Sequence, residues 1–301
     1  MDDGEPQDAG PGSALSMHEA QPSRTALRVA LRRAAHQVHD APPLVFQDPL
    51  AVRILGREHR EEVNRTPDSL KRPFSAALRA FMVARARLAE DTLAHGVATN
   101  NTLQYLVLGA GLDTFAYRNP FEELQVFEVD HPATQAWKRE CLAAAGIAIP
   151  EAMRFVPVDF ERQSLAEELA AAGFDRTLPT VTAWLGVVPY LTLEAFRGTT
   201  SLLGSFATGS SVVFDYSQPR EVLPLVEQKM LDSMSERVAL AGEPFQRFFT
   251  PETLAAELAL AGLRVVEDLD STALTARFFS GRKDGLRLRG QGGRMCVAKS
   301  G

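Results

Sequence analysis

Cysteine is scarce in this chain, and its scarcity excludes several classes of site. Only Cys141 and Cys296 occur in 301 residues. They stand far apart, outside any Cys-x-x-Cys pattern and away from histidine pairs at metal-ligand spacing, so neither a disulfide framework nor a zinc site is indicated. We expect a reducing, cytoplasmic compartment and no bound metal.

Long apolar runs and an excess of basic charge are also missing. No stretch of the sequence reaches the roughly 18 apolar residues of a transmembrane helix, and the N-terminus has acidic residues, proline and glycine where a signal peptide has basic and apolar ones. We expect residues 1–23 to be a disordered tail and the protein to have no membrane partner. The formal charge of −6 argues against nucleic-acid binding.

The pattern of apolar residues changes near residue 100. Before it, three segments have helical periodicity: Thr25–His39, Pro49–Leu55 and Ser69–His95. After it, strand-like runs alternate with helix-sized segments: 103–109, 124–130, 153–160, 180–191 and 210–217, with a last short strand at 294–300. The alternation predicts an α/β fold, in which a mostly parallel, Rossmann-like sheet has helices on both faces and follows an N-terminal helical layer at residues 24–97.

The segment YLVLGAGLDTFAYR places two glycines directly after the first strand-like run. Gly109, Ala110 and Gly111 form the turn at which an open parallel sheet lets its backbone approach a nucleotide closely. A dinucleotide fingerprint requires a third glycine, and Thr114 occupies that position. Asp113, at the predicted opening of the next helix, would repel a phosphate and suits a cationic amino group. The turn therefore favours a cofactor without a pyrophosphate.

Acidic residues end the next two strand-like runs. Asp130 lies about 20 residues past the glycine turn, where a carboxylate accepts hydrogen bonds from ribose hydroxyls. A helix cap or a surface carboxylate is the alternative. Asp159 and Phe160 would contact an adenine, or serve only as a strand end and a core ring. The glycine turn lacks the third glycine of a dinucleotide site, and a carboxylate suited to ribose hydroxyls follows it. This combination suits a nucleoside that carries an amino acid, and S-adenosylmethionine is that molecule.

An arginine lies within the apolar stripe of the third helical segment. Leu78, Met82 and Leu88 belong to a stripe at helical spacing, with Arg85 in its middle. A buried guanidinium requires a carboxylate. Two partners are possible: a core aspartate or glutamate in a buried ion pair, or the carboxylate of a ligand such as the methionine part of the cofactor.

Side chains that could contact a methyl acceptor are few. No histidine follows His131, so the later strands offer Tyr190, Asp215 and Tyr216 as catalytic candidates, with strand-end packing as the alternative for each. Methyl transfer is an in-line displacement at an activated sulfonium carbon, so alignment and exclusion of water matter most. The missing histidine favours a carboxylate, which is ionised at pH 7, or an acidic phenol.

Residues 218–250 form a connection longer than usual between two predicted elements. This segment is a candidate lid that contributes Phe245, Phe248 and Phe249. A structural helix pair is the alternative.

Several blocks of this sequence resemble one known family. GAGLDTFAYR, FEVDHPATQAWK, VPVDF and WLGVVPYLT, with DPLAVRIL and VARARLAEDTL upstream, are similar to the leucine carboxyl methyltransferase-like family, in its bacterial O-methyltransferase branch. The likeness extends over residues 24–301. It implies a class I methyltransferase fold and a cofactor site lined by these residues: Arg85, Gly109–Gly111, Asp130, Asp159–Phe160 and Gly186. Leu185 replaces a glutamate that many members have before this last glycine.

The expected function is S-adenosylmethionine-dependent O-methylation of a carboxylate or acidic hydroxyl on a small-molecule or peptide acceptor. Two alternatives remain open. A nicotinamide-dependent oxidoreductase could use a similar sheet, although Thr114 disfavours it. A non-catalytic nucleoside-binding protein could keep the same fold, and Leu185 makes that alternative possible.

Overall fold

The computed structural model describes residues 23–65, 72–159, 162–240, 242 and 244–301. Residues 1–22 of the predicted tail lie outside this part of the chain, and so does Phe160. In the described part, no helix combines the length and the apolar character needed to cross a membrane.

In the described residues, three α-helices precede the first strand: α1 at Arg24–His39, α2 at Gly56–Asn64 and α3 at Pro73–Asn100. The Ser23 hydroxyl caps α1 by accepting a hydrogen bond from the Ala26 N–H at 3.1 Å. The prediction of a helix at Pro49–Leu55 is wrong in its bounds. Only Arg53–Leu55 are helical, as one 3-10 turn, and α2 follows directly. Apolar periodicity missed α2 because Val63 is its one buried residue.

Seven strands of the described chain form one sheet in the order β3-β2-β1-β4-β5-β7-β6. Their bounds are β1 Gln104–Leu108, β2 Gln125–Asp130, β3 Met153–Pro157, β4 Thr180–Trp184, β5 Ser211–Ser217, β6 Leu263–Leu269 and β7 Gly293–Ser300. Strands β1 to β5 pair in parallel, whereas β7 runs antiparallel to both β5 and β6. The predicted mostly parallel α/β sheet is confirmed.

The part of the chain that the structure describes has six further α-helices between or beside these strands: α4 Pro132–Ala144, α5 Leu165–Ala171, α6 Leu193–Gly204, α7 Leu225–Ala239, α8 Pro251–Leu260 and α9 Ser271–Phe278. Side chains that alternate along the strands build a core on each face of the sheet. On one face, Val107 and Val181 pack in the cluster that includes Leu88 of α3. On the other, Leu106 and Trp184 pack with aromatic rings that include Phe196 of α6.

Two features at the carboxyl edge of the sheet differ from the sequence-based expectations. The strand predicted at 180–191 ends at Trp184, because Gly186 adopts a φ of 73° and turns the chain away from the sheet. Asp113 does not open an α-helix: the chain after β1 makes only a 3-10 turn at Phe115–Tyr117. Pro120 explains the early end of that turn, because proline disfavours helical backbone in the residue before it. Both changes leave irregular backbone at the strand ends.

We expect the two glycines of α6 to respond differently to alanine. A Cβ on Gly204 would stand 1.7 Å from the carbonyl oxygen of Ala261, so Gly204→Ala must push apart α6 and the turn before β6. The expected loss is roughly 1–3 kcal/mol in the free energy of unfolding, measured by chemical denaturation. Gly198→Ala is the control, since no atom lies within 4 Å of its added Cβ. Equal stability of the two variants would contradict this packing.

Candidate functional site

A cavity of about 720 Å³ opens at the carboxyl edge of the sheet. Strands β1 and β4 are neighbours there, and the chain order reverses between them. An open parallel sheet binds ligands at this kind of switch point. The strand-end turns form one side of the cavity, and α1, α3, α5, α6 and the segment after α7 also contribute to its lining.

The glycine turn is tied to the end of β2 by its own backbone. The N–H groups of Gly109 and Ala110 both donate to the carbonyl of Val129, at 2.9 and 3.0 Å. Gly109 has a φ of 68°, and a Cβ on it would stand 2.4 Å from a methyl carbon of Val187. The turn after β4 therefore approaches the glycine turn so closely that a side chain at position 109 is excluded.

Asp130 lines the cavity and holds the same turn. One carboxylate oxygen accepts the N–H of Gly111 at 2.6 Å, and the other accepts the N–H of His131 at 2.7 Å. Burial raises the pKa of Asp130 above its ordinary value and outweighs these two hydrogen bonds. The Thr134 side chain also hydrogen-bonds to Asp130. A carboxylate has about four lone pairs, so Asp130 can still accept a hydroxyl from a ligand.

Asp113 also lines the cavity, but its carboxylate already has protein partners. One oxygen accepts Nη1 of Arg33 at 3.0 Å, and the other accepts the N–H of Phe115 at 2.8 Å. Burial alone would raise the pKa of Asp113, but the positive charges of Arg33, Lys138 and Arg118 lower it below its ordinary value. Asp113 is therefore an anion in a protein ion pair, whereas the sequence suggested a partner on the ligand.

Arg33 is a residue of the site that sequence reasoning missed. It lines the cavity from α1 and is 6% exposed. Its Nη2 donates to Asp48 at 2.7 Å and to the hydroxyl of Thr114 at 3.1 Å. Arg33 follows Ala26 by seven residues and Ala30 by three, so all three share one helix face. That spacing, with an aspartate in the DPLAVRIL block, was the available signal.

Thr114 occupies the position of the absent third glycine and makes a buried polar contact. The Thr114 hydroxyl donates to Asp48 at 2.8 Å, and Thr114 is completely buried. Arg118 extends the network: it lies 3.5 Å from Asp48 and forms an ion pair with Glu90, which lines the cavity. Burial raises the pKa of Glu90 despite this pairing.

Arg85 has one of the two partners considered from sequence, a buried carboxylate, and it also borders the cavity. Its Nη1 donates to Asp215 at 3.1 Å, which makes a buried ion pair between α3 and β5. Arg85 also lines the cavity, beside Gly186 and Leu185. A Cβ on Gly186 would stand 2.9 Å from Nη1 and 3.0 Å from Nη2 of Arg85. The structure therefore brings Arg85, Gly186 and Asp215 together.

The other candidate residues separate into two groups. Tyr190 lines the cavity, and its ring packs against Phe245 at a centroid distance of 5.3 Å. Tyr216 does not line it: its hydroxyl donates to Asp268 at 2.7 Å, and burial followed by this contact raises its pKa. Asp215 and Asp159 also lie outside the lining, although Asp159 follows the end of β3 at Pro157 closely.

The charges around the cavity are unequal in the described part of the chain. The arginines that line it or pair with lining residues number three: Arg33, Arg85 and Arg118. The corresponding carboxylates number five: Asp48, Glu90, Asp113, Asp130 and Asp215. A formal excess of negative charge suits a ligand with a net positive charge and disfavours one with two phosphates.

We expect Asp48→Asn to destabilise the protein by about 1–3 kcal/mol, because it weakens buried, charge-assisted hydrogen bonds. Asp48 is 1% exposed and faces both Arg33 and Arg118, which keep Asp113 and Glu90 as their other partners. Asp232→Asn is the control, because Asp232 pairs with Arg220 on an exposed surface and its change should be negligible. Urea denaturation of both variants measures the difference. A stable Asp48→Asn protein would contradict the importance of the network.

Comparisons with known proteins agree with this geometry. The family model described as leucine carboxyl methyltransferase matches residues 26–203. YktD of Bacillus subtilis, named as an S-adenosyl-L-methionine-dependent methyltransferase, is 34% identical over 90% of this chain and 95% of its own length. A protein of Mycobacterium ulcerans with the same description is 33% identical over 64% of each chain.

Among solved structures, a DUF574 family protein from Streptomyces avermitilis has a similar fold, with a TM-score of 0.53, 18% identity, and coverage of 90% of this chain and 97% of its own. The predicted class I methyltransferase fold is confirmed. The chain belongs to the leucine carboxyl methyltransferase family and is an S-adenosylmethionine-dependent methyltransferase.

Proposed function

We propose that this enzyme is an O-methyltransferase that acts on a carboxylate or an acidic hydroxyl of a small-molecule or peptide acceptor in the cytoplasm. The observation that carries the proposal is the glycine turn at the switch point. Its third-glycine position holds a buried threonine, and no α-helix follows it before β2. Such a turn offers no helix N-terminus to a pyrophosphate and leaves room for a nucleoside with an amino acid.

The cofactor contacts follow from the positions of the lining residues. Asp130 would accept the ribose hydroxyls, and the Gly109–Gly111 backbone would lie along the amino-acid part. Arg85 would donate to the methionine carboxylate, because its guanidinium borders the cavity beside Gly186. Asp159 would contact the adenine, as the resemblance implies, and the same prediction for Phe160 lies outside the described residues.

The nicotinamide alternative is disfavoured by charge. NAD brings two phosphates to a cavity whose described charges have a negative excess, whereas S-adenosylmethionine brings a sulfonium and an ammonium group against one carboxylate. A non-catalytic role does not agree with the methyltransferase family to which the chain belongs, and the cavity is lined by Tyr190 as well as by the cofactor turn.

The reaction requires alignment and a dry cavity rather than strong acid–base chemistry. The methyl group passes in line from the sulfonium sulfur to an acceptor oxygen, and a carboxylate oxygen is already ionised near neutral pH. Tyr190 is the polar lining residue that we propose to contact the acceptor. Asp215 and Tyr216 are less suitable, since each is engaged by a protein partner away from the lining.

The segment 218–250 is proposed to be a lid over this cavity. Gly242, Pro244 and Gln246 contribute to the lining. The N–H of Gln246 donates to the carbonyl of Pro189 at 2.7 Å, and its side chain donates to the carbonyl of Tyr190 at 2.8 Å. The segment is therefore fastened to the turn that presents Tyr190, which would help exclude water during transfer.

We expect S-adenosylhomocysteine to stabilise the protein and NAD to leave it unchanged. A ligand at 100 times its dissociation constant adds about 2.7 kcal/mol to the free energy of unfolding, which a thermal shift detects. Asp130→Ala should lose about 1–3 kcal/mol of binding, because it removes the ribose acceptor. Asp91→Ala is the control, since Asp91 pairs with Arg87 outside the cavity. Stabilisation by NAD alone would reverse the cofactor assignment.

We expect the rate of transfer to be flat between about pH 6 and 8 with a carboxylic acid acceptor, since such an acceptor is ionised throughout this range. A panel of free carboxylic acids, peptides with free C-termini and phenols, assayed with labelled cofactor, measures the preference. Tyr190→Phe should weaken acceptor binding without weakening S-adenosylhomocysteine binding. Transfer confined to phenols, with a rate that rises with pH, would exclude the carboxylate acceptor.

A further inference from the structure

Asp215 sits where the last buried parallel strand meets two cavity-lining elements. It is 6% exposed and does not itself line the cavity. One oxygen accepts Nη1 of Arg85 at 3.1 Å, and the other accepts the N–H of Gly186 at 2.6 Å. A single carboxylate therefore connects α3 to the turn after β4.

These contacts determine how the guanidinium faces the cavity. Arg85 has five N–H donors in a planar fork. In the described part of the chain, its side chain makes one hydrogen bond, through Nη1 to Asp215. Fixing one nitrogen of a planar group restricts the direction of the others, and the guanidinium borders the cavity. The free donors therefore remain available to an anion in the cavity.

Gly186 completes the arrangement because it has no side chain. The position that its Cβ would occupy lies within 3.2 Å of three guanidinium atoms of Arg85. Its φ of 73° is accessible to glycine and turns its N–H toward Asp215. Because Gly186 has no Cβ and its N–H is held by Asp215, the guanidinium of Arg85 can lie against the backbone of Gly186.

We propose that Asp215 is a positioning residue that directs Arg85 at the carboxylate of the cofactor's amino-acid part, and that it does not act as a general base. The proposal rests on the proposed cofactor contact of Arg85. It assigns to Asp215 an effect on one end of the ligand only: recognition of the carboxylate should depend on Asp215, and recognition of the nucleoside should not.

Two ligands that share the nucleoside and the sulfur atom test this effect by calorimetry. S-adenosylhomocysteine carries the amino-acid carboxylate, and 5′-methylthioadenosine lacks it. Asp215→Asn keeps the side-chain shape but removes the charge that pairs with Arg85. We expect its affinity for S-adenosylhomocysteine to fall at least tenfold, while its affinity for 5′-methylthioadenosine stays within twofold of wild type.

Asp268→Asn is the matched control. Asp268 also pairs with an arginine, Arg294, and accepts a hydrogen bond from Tyr216, but it lies outside the cavity lining. The affinities of the Asp268→Asn protein for both ligands should stay within twofold of wild type. Gly186→Ala provides a second variant, because its added Cβ displaces Arg85 while Asp215 is retained, and it should show the same selective loss.

Each other outcome overturns the inference. If Asp215→Asn lowers the affinity for both ligands equally, Asp215 acts through the fold of the turn. If it leaves both affinities unchanged, as expected for a general base, Asp215 does not direct Arg85. A wild-type protein that binds neither ligand would refute the proposed cofactor contacts, and this inference with them. Binding by wild type without selectivity in the variants would refute the inference alone.

Discussion

Buried charge at the carboxyl edge of the sheet is the constraint on which the site depends. An ionised side chain taken out of water is tolerated only when opposite charges and hydrogen bonds surround it. The structure meets this requirement with two separate groups. Arg33 and Arg118 converge on Asp48, beneath the glycine turn, and Arg85 pairs with Asp215 beside the turn after β4.

These pairs join elements that are distant in sequence. Arg33 attaches α1 to the glycine turn through Asp113, across 80 residues, and Arg85 attaches α3 to β5 across 130. The N-terminal helices are thereby fixed over the strand ends as part of the cavity. Because each ion pair is directional and buried, it specifies one arrangement of helix and turn, which hydrophobic contact alone would leave less defined.

The fold, and the strand-end turns that line the cavity, were predictable from the sequence for a physical reason. Parallel strands are near-continuous apolar runs, and the glycine turn needs conformations that only glycine adopts easily, so both leave local patterns. Gly109, Gly111 and Asp130 were found in this way. Arg33 and Glu90 were not, because their partners lie far along the chain. The helix α2 was missed because its exposed faces carry little apolar periodicity.

Asp215 shows the limit of assigning chemistry by position alone. Its place at the end of β5 suggested a contact with the acceptor, yet Asp215 lies outside the cavity lining, and its two oxygens accept hydrogen bonds from Arg85 and from the N–H of Gly186. The same contacts make it suitable for orienting a guanidinium. If the acceptor arrives as an anion, the enzyme needs no proton acceptor at this position. The absence of a histidine after His131 is consistent with this division of roles.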